Sequence, residues 1–124
     1  MESVWFWQLN IRTASESNSS EHWTVKAKRH RKQKSMIKKN FLKERPKIKP
    51  PCVVTLTRIA PGVLDAHDNL PMSFKWIVDA IADYLCPGLL PGRADDNKSI
   101  EWKYSQKRGK PREYAIQIEI RALS

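Results

Sequence analysis

Shortages of cysteine, of glycine and of long apolar runs each exclude a class of protein. The two cysteines, Cys52 and Cys86, form no CxxC pair, so we expect two buried free thiols in a reducing cytoplasm instead of a disulfide scaffold or zinc site. The four glycines form no nucleotide-binding fingerprint. No apolar stretch approaches the roughly 18–20 residues that cross a bilayer. The opening MESVWFWQLNIR lacks the basic start of a signal peptide, so we predict a cytoplasmic protein with no membrane partner.

The positive charge is abundant and concentrated in one stretch. The chain has 124 residues, enough for a single domain over 1–124, and a net charge of +10. The stretch between Lys26 and Lys49 contains 12 of the 23 basic residues and only one acid, Glu44. It therefore carries +11, and the rest of the chain nets −1. A bias confined to one stretch indicates a surface that meets a polyanion, although it could also be only a solvated face.

Hydrophobic spacing predicts an α/β (α+β) chain with the order β-α-β-α-β-β, a small mixed sheet with helices packed on it. Residues 5–12 alternate as a strand, and about 21–43 form a basic helix that packs by its two ends, through Trp23 and Ala27 and through Ile37 and Phe41. CVVTLTRIA (52–60) is a β-branched strand, and Leu70 to Leu85 has the spacing of an amphipathic helix. SIEWKYSQ and REYAIQIEIRA are predicted strands joined as a hairpin by KRGKP.

The basic helix supplies the candidate nucleic-acid contacts. Its lysines and arginines would neutralise backbone phosphates, which gives affinity with strong salt dependence and little sequence information. These residues are Lys26, Lys28, Arg29, Arg31, Lys32, Lys34, Lys38 and Lys39.

Six of the 13 acids fall in one later part of the chain, namely Asp65, Asp68, Asp79, Asp83, Asp95 and Asp96. Magnesium prefers a few carboxylate oxygens and keeps sites for water and substrate phosphate, so aspartates at a strand exit and in a later loop suit it. Lys75 stands seven residues, or two helical turns, after Asp68, so we expect it on the same side of the helix, within reach of the scissile phosphate or the leaving oxygen.

Simpler interpretations of the same aspartates remain open. Asp68 beside Asn69 suits a helix cap, which does not exclude metal binding. Asp79 and Asp83 are i, i+4 neighbours on the polar face of the predicted helix and are expected to be solvated. The pair Asp95 and Asp96 is also typical of a turn. From the spacing alone, the sequence indicates a DNA- or RNA-binding domain with a candidate metal site.

Longer stretches resemble the RusA-like endodeoxyribonucleases, small phage- and prophage-encoded resolvases of Holliday junctions. The resemblance lies in LDAHDNLPMSFKWIVDAIADYL, the following ADD, WKYSQKRG and PREYAIQIEI, and it extends upstream to ESNSSEHWTVKAKR. It implies a mixed α/β homodimer that nicks two opposing strands of a four-way DNA junction in a bacterial or phage-infected host cell. By position, Asp65, Asp68 and Asp96 match the family's metal-binding aspartates, with Asp95 as the alternative third ligand, and Lys75 matches its catalytic lysine.

The resemblance therefore implies a metal-dependent endodeoxyribonuclease acting in DNA recombination and repair. Its cofactor would be magnesium (Mg2+), with manganese (Mn2+) as a possible substitute, and it would need no small-molecule cofactor. Two alternatives remain: a non-catalytic basic DNA- or RNA-binding protein on the same scaffold, and a nuclease for flaps, forks or RNA.

Overall fold

The computed structural model describes residues 4–13, 23–44, 46–64, 69–86 and 99–123. The elements in chain order are β1 (Val4–Leu9), α1 (Trp23–Glu44), β2 (Cys52–Ala60), α2 (Asn69–Ser73), α3 (Lys75–Leu85), β3 (Ile100–Arg108) and β4 (Ala115–Ala122). The predicted class, a small mixed α+β fold, is confirmed. The predicted order differs by one helix, because the second helix is divided into α2 and α3.

The four strands form one sheet in the order β1-β4-β2-β3. β2 is parallel to β3 and antiparallel to β4, and β1 is antiparallel to β4. The predicted hairpin of β3 and β4 is therefore wrong, because β2 lies between them. β2 takes this inner place because Cys52, Val54 and Leu56 are fully buried, whereas β3 is largely polar and suits an edge.

The connection from β3 to β4 passes across the end of β2. Gly109 N donates to Ala60 O at 2.8 Å, which brings the connection onto the last residue of β2. A Cβ at Gly109 would lie 2.7 Å from Glu113 Oε1 and 3.1 Å from Ile59 Cγ2. A larger residue would have to displace the Glu113 carboxylate and press on Ile59, so glycine suits this close approach. The connection brings Tyr114, just before β4, to the end of the sheet where the carboxyl ends of β1 and β2 lie.

The core lies between the helices and one face of the sheet. Ile116, Ile118 and Ile120 alternate along β4 and are fully buried, facing the helical layer that contains Ile77 and Ile81. The opposite face carries the polar alternate positions of β3 and β4. This alternation is the expected result of a sheet with helices on one side.

Helix α1 packs through its second half. Gln33, Ile37 and Phe41 are its buried residues, spaced four apart on one face. Phe41 stacks on Tyr84 with ring centroids 4.2 Å apart and meets Trp7 edge-on at 5.1 Å. Trp23 is 71% exposed, so the prediction that the helix also packs by its first turns is wrong at that residue.

A local hydrogen-bond exchange divides the second helix at Phe74. The Ser73 hydroxyl donates to Leu70 O at 2.7 Å, and Phe74 N donates to Pro71 O at 3.1 Å. In a continuous α-helix Phe74 N would donate to Leu70 O. Here the serine hydroxyl occupies Leu70 O, and the backbone forms a tighter i→i−3 turn instead.

Both cysteines are free thiols, as predicted, but only Cys52 is buried and Cys86 is half-buried. Burial raises the pKa of the Cys52 thiol, and the nearby Cys86 raises it further. Among the described helices, none combines the length and apolarity needed to cross a membrane.

Candidate nucleic-acid interface

The predicted DNA-binding residues all lie on α1. Lys28, Arg31, Lys32, Lys38 and Lys39 are exposed, and Lys26, Arg29 and Lys34 are half-buried. The only acid of the helix is Glu44 at its last residue, and no lysine or arginine of the helix stands three or four positions from it. The helix therefore carries its charge without i, i+4 neutralisation along its own surface, as suits an element that meets phosphates.

Trp76 of α3 joins the two helices in a shared cationic surface. Its ring stacks on His30 of α1, with centroids 3.8 Å apart and planes 29° apart. Lys34 Nζ lies 5.3 Å and Lys75 Nζ 5.1 Å from the centroid of that ring. The exposed Lys75 thus lies beside the basic helix, at the first residue of α3.

The position of Lys75 relative to Asp68 cannot be obtained by counting helical turns. The prediction from the sequence assumed two turns of an unbroken helix, and the turn at Phe74 interrupts the helix between α2 and α3. The face that Lys75 shares with residues before α2 is therefore not fixed by its spacing. Its catalytic role stays a prediction.

A pocket of about 480 Å³ lies where the carboxyl ends of β1 and β2 meet the start of β4. Its walls come from the residues after β1, from the end of β2 and the segment after it, from the first residue of α2 and from the residue before β4. They are Arg12, Thr13, Arg58, Pro61, Gly62, Leu64, Asn69 and Tyr114. This pocket is called the strand-end pocket below.

Two side chains fix the segment that leaves β2 along this pocket. Gln106 of β3 makes a two-way clamp on Leu64: its Nε2 donates to Leu64 O at 2.6 Å, and Leu64 N donates to its Oε1 at 3.0 Å. Arg58 Nη1 donates to Gly62 O at 2.7 Å. The chain therefore leaves Leu64 from a fixed point at the rim of the pocket.

The predicted metal ligands Asp65, Asp68 and Asp96, and the alternative Asp95, lie outside the described residues. Asp65 directly follows Leu64 in the chain and Asp68 directly precedes Asn69, and both neighbours line the strand-end pocket. Within the described ranges, no group of three or more histidine, cysteine, aspartate or glutamate side chains is arranged to hold a metal. The metal site stays a prediction.

A groove continues from the strand-end pocket to the basic helix. It has a volume of about 610 Å³ and is lined by Asn10, Ile11, Arg12, Lys28, Arg29, Lys32, Gln33 and Met36. Gln33 Nε2 donates to Arg12 O at 3.4 Å and so joins the helix to the chain after β1. Arg12 lines both cavities, which makes one continuous basic surface from α1 to the strand ends.

The arginines of the strand-end pocket were not among the residues predicted to have a function. One sequence feature points to Arg58: it falls on the inward-facing alternation of Cys52, Val54, Leu56 and Ala60 in an otherwise apolar strand. A charged residue at such a position is either paired or functional. Arg12 carries no comparable local feature.

Comparisons with family models, with curated proteins and with solved structures found no match. The resemblance to RusA-like endodeoxyribonucleases therefore rests on the quoted residues alone.

Proposed function

We propose that the chain is a magnesium-dependent endodeoxyribonuclease that resolves four-way DNA junctions by paired, symmetric nicks. The observation that carries the proposal is the continuous basic surface of α1 and the strand-end pocket, which leads to both ends of the segment carrying Asp65 and Asp68. A phosphate-binding surface directed at a carboxylate-bearing segment is the combination that metal-dependent phosphodiester hydrolysis needs.

The fixed geometry around Leu64 and Asn69 suits a metal site at this edge. Gln106 fixes the chain just before Asp65, and α2 begins just after Asp68. Asp65, Asp68 and Asp96 would hold Mg2+ through carboxylate oxygens, the ligands that this ion prefers. When bound, the metal supplies an activated water and neutralises the charge that develops on the phosphodiester.

The basic residues of the chain would then have two roles, binding the DNA and positioning the scissile phosphate. The lysines and arginines of α1 bind backbone phosphates without reading bases. Lys75, exposed beside Trp76, contributes an ammonium group to the same surface and is the candidate contact to the scissile phosphate or leaving oxygen. A homodimer would present two such sites to a near-symmetric junction, with the cytoplasm as the place of action.

The test is incubation of the purified protein with a synthetic four-way junction in Mg2+, in Mn2+ and in chelator. We expect paired symmetric nicks that need the metal and that fall by about three orders of magnitude or more in Asp68→Asn and in Asp96→Asn. Asp83→Asn removes the same charge from the polar face of α3 and should cut like the wild type. Normal junction binding without cutting at any metal concentration contradicts the proposal.

A second candidate function is non-catalytic binding of DNA or RNA, which the basic surface of α1 supports by itself. It predicts salt-sensitive binding that is unchanged or stronger in Asp68→Asn, and no cutting. Cleavage of a flap or a single strand in preference to the junction would instead indicate a nuclease of different substrate class. Sedimentation of the protein with and without junction measures the expected dimer.

A further inference from the structure

The strand-end pocket contains two guanidinium groups, and none of its described lining residues is an acid. Arg58 is 8% exposed, and Arg12 is near enough for the two charges to interact. Burial lowers the pKa of the Arg58 guanidinium, Tyr114 raises it in part, and the charge of Arg12 lowers it further. Two like charges in one cavity favour the entry of an anion.

Two buried polar atoms of the same pocket have no hydrogen-bond partner among the described residues. They are Arg58 Nε and Thr13 Oγ1, and Thr13 is 3% exposed. Burying a donor without a partner costs free energy, so an unpaired guanidinium nitrogen and an unpaired hydroxyl buried among the residues of one pocket need a reason. A ligand that accepts hydrogen bonds from both would supply it.

The donors are held in place before any ligand arrives. The Arg12 guanidinium lies over the Tyr114 ring, with Cζ 4.5 Å from the centroid. Arg58 is fixed by the bond from Nη1 to Gly62 O, and its buried Nε has no hydrogen-bond partner in the described part of the chain. A preorganised arginine pair suits a tetrahedral oxyanion, because the planar fork of each guanidinium matches two of its oxygens.

We propose that the strand-end pocket is a phosphate-binding site, formed by Arg12, Thr13 and Arg58, that takes a backbone phosphate beside the one that is cut. The nucleic-acid source of the phosphate rests on the proposed function. The groove along Arg12 and Lys32 connects this site to α1, so a strand bound along the helix would reach the pocket.

The direct test is a titration of the full chain with inorganic phosphate, followed by NMR of the arginine side-chain Nε–Hε signals. Sodium chloride at equal ionic strength is the reference. We expect saturable shifts for Arg58 and Arg12 and none for Arg121, which donates to Glu119 on the opposite face of the sheet. Absence of a saturable shift at either pocket arginine, or an equal shift at Arg121, overturns the proposal.

The competing occupant is a carboxylate of the chain itself, from Asp65 or Asp68. In that case the wild type would not bind phosphate, whereas Asp65→Asn or Asp68→Asn would, and the proposal would be wrong. If the pocket is open to phosphate, the wild type binds it and neither variant is required for binding.

Junction kinetics test whether the site serves DNA. Arg12→Gln should raise KM about tenfold or more and change kcat less, because a charged hydrogen bond to a bound phosphate is removed. Lys103→Gln removes the same charge from the exposed face of β3 and should leave KM within about twofold of the wild type. Arg12→Lys, which keeps the charge but not the fork, should fall between them; equal KM in Arg12→Gln and Lys103→Gln contradicts the assignment.

The two proposals fail separately. Phosphate binding at Arg12 and Arg58 in a protein that cuts no DNA supports the pocket and contradicts the nuclease. Metal-dependent cutting without phosphate shifts does the reverse. Since Arg58 is buried and its substitution risks the fold, neither test substitutes it.

Discussion

Helices α1 and α3 pack against each other over the same sheet face, yet their sequences serve different purposes. α3 buries six of its 11 residues, whereas α1 buries three of 22. α3 is therefore a core element that the hydrophobic effect explains. The long exposed surface of α1 contributes little to the core, so its nine lysines and arginines need a reason other than folding.

The difference between the two helices shows how a charged helix can be kept folded at small structural cost. The buried positions Gln33, Ile37 and Phe41 hold α1 along one line, and His30 and Lys34 contact Trp76 of α3. Most of the remaining circumference faces solvent or the groove. The like charges along it repel each other within the helix. Tertiary packing of a few residues must offset that repulsion.

The largest expected effect is that of removing the Phe41 ring, which packs on Trp5, Trp7 and Tyr84. Phe41→Ala should lower the free energy of unfolding by about 3–5 kcal/mol, because it removes a fully buried ring and leaves a cavity. Urea denaturation measures it. A decrease below about 1 kcal/mol would mean that α1 is not held to the sheet in this way.

Ile81 is the corresponding test in α3. It is fully buried, and Ile81→Ala should lower the free energy of unfolding by about 2–4 kcal/mol, somewhat less than the decrease at Phe41. Tyr84→Ser, at an exposed position of the same helix, is less suitable as a control because Tyr84 stacks on Phe41. Asp83→Asn serves instead and should change unfolding by no more than about 0.5 kcal/mol.

A smaller effect is expected at Gln33, the buried polar residue of α1. Gln33→Leu removes the long hydrogen bond to Arg12 O and should cost about 1 kcal/mol in the urea experiment. It should also loosen the chain after β1. A stabilising effect would show that apolar packing, and not this bond, decides the position of α1.

The smallest effect on stability is expected from the charges themselves. The triple variant Lys28→Gln, Lys32→Gln, Lys39→Gln should have a free energy of unfolding within about 0.5 kcal/mol of the wild-type value. At low salt it should be slightly more stable than the wild type, because the repulsion between these charges is relieved. A clear destabilisation in the same urea series would mean that these lysines have a structural role.

Local pattern predicted most of the fold. β2 has the predicted bounds, and the basic helix, predicted over about 21–43, spans Trp23–Glu44. The prediction failed at the strand order, which distant parts of the chain determine, and at one local side-chain contact. Strand order depends on the burial of β2, which no spacing within KRGKP can reveal, and the turn at Phe74 depends on one serine hydroxyl.

The candidate site was likewise predictable from the sequence only where its residues lie close together in the chain. The charge run predicted the basic surface of α1 because like residues stand close together in the chain, and its contact with nucleic acid stays a prediction. Arg12 and Arg58 meet only because antiparallel β4 brings the ends of β1 and β2 to one edge. The metal-binding roles of Asp65, Asp68 and Asp96 stay predictions from the resemblance. Asp65 and Asp68 are adjacent in the chain to described residues that line the strand-end pocket.

The central claim is that the exposed charge of α1 binds DNA phosphates. The most direct measurement is the dependence of four-way-junction affinity on salt concentration, for the wild type and for the triple lysine variant. The slope of log affinity against log salt should become shallower by about 2–3 in the variant, because each phosphate that a lysine no longer neutralises removes close to one unit of slope. The control, Lys103→Gln with Lys107→Gln and Lys110→Gln, makes the same charge change on exposed residues of β3 and the connection after it, and should keep the wild-type slope. Equal slopes in the wild type and the α1 variant would contradict the claim.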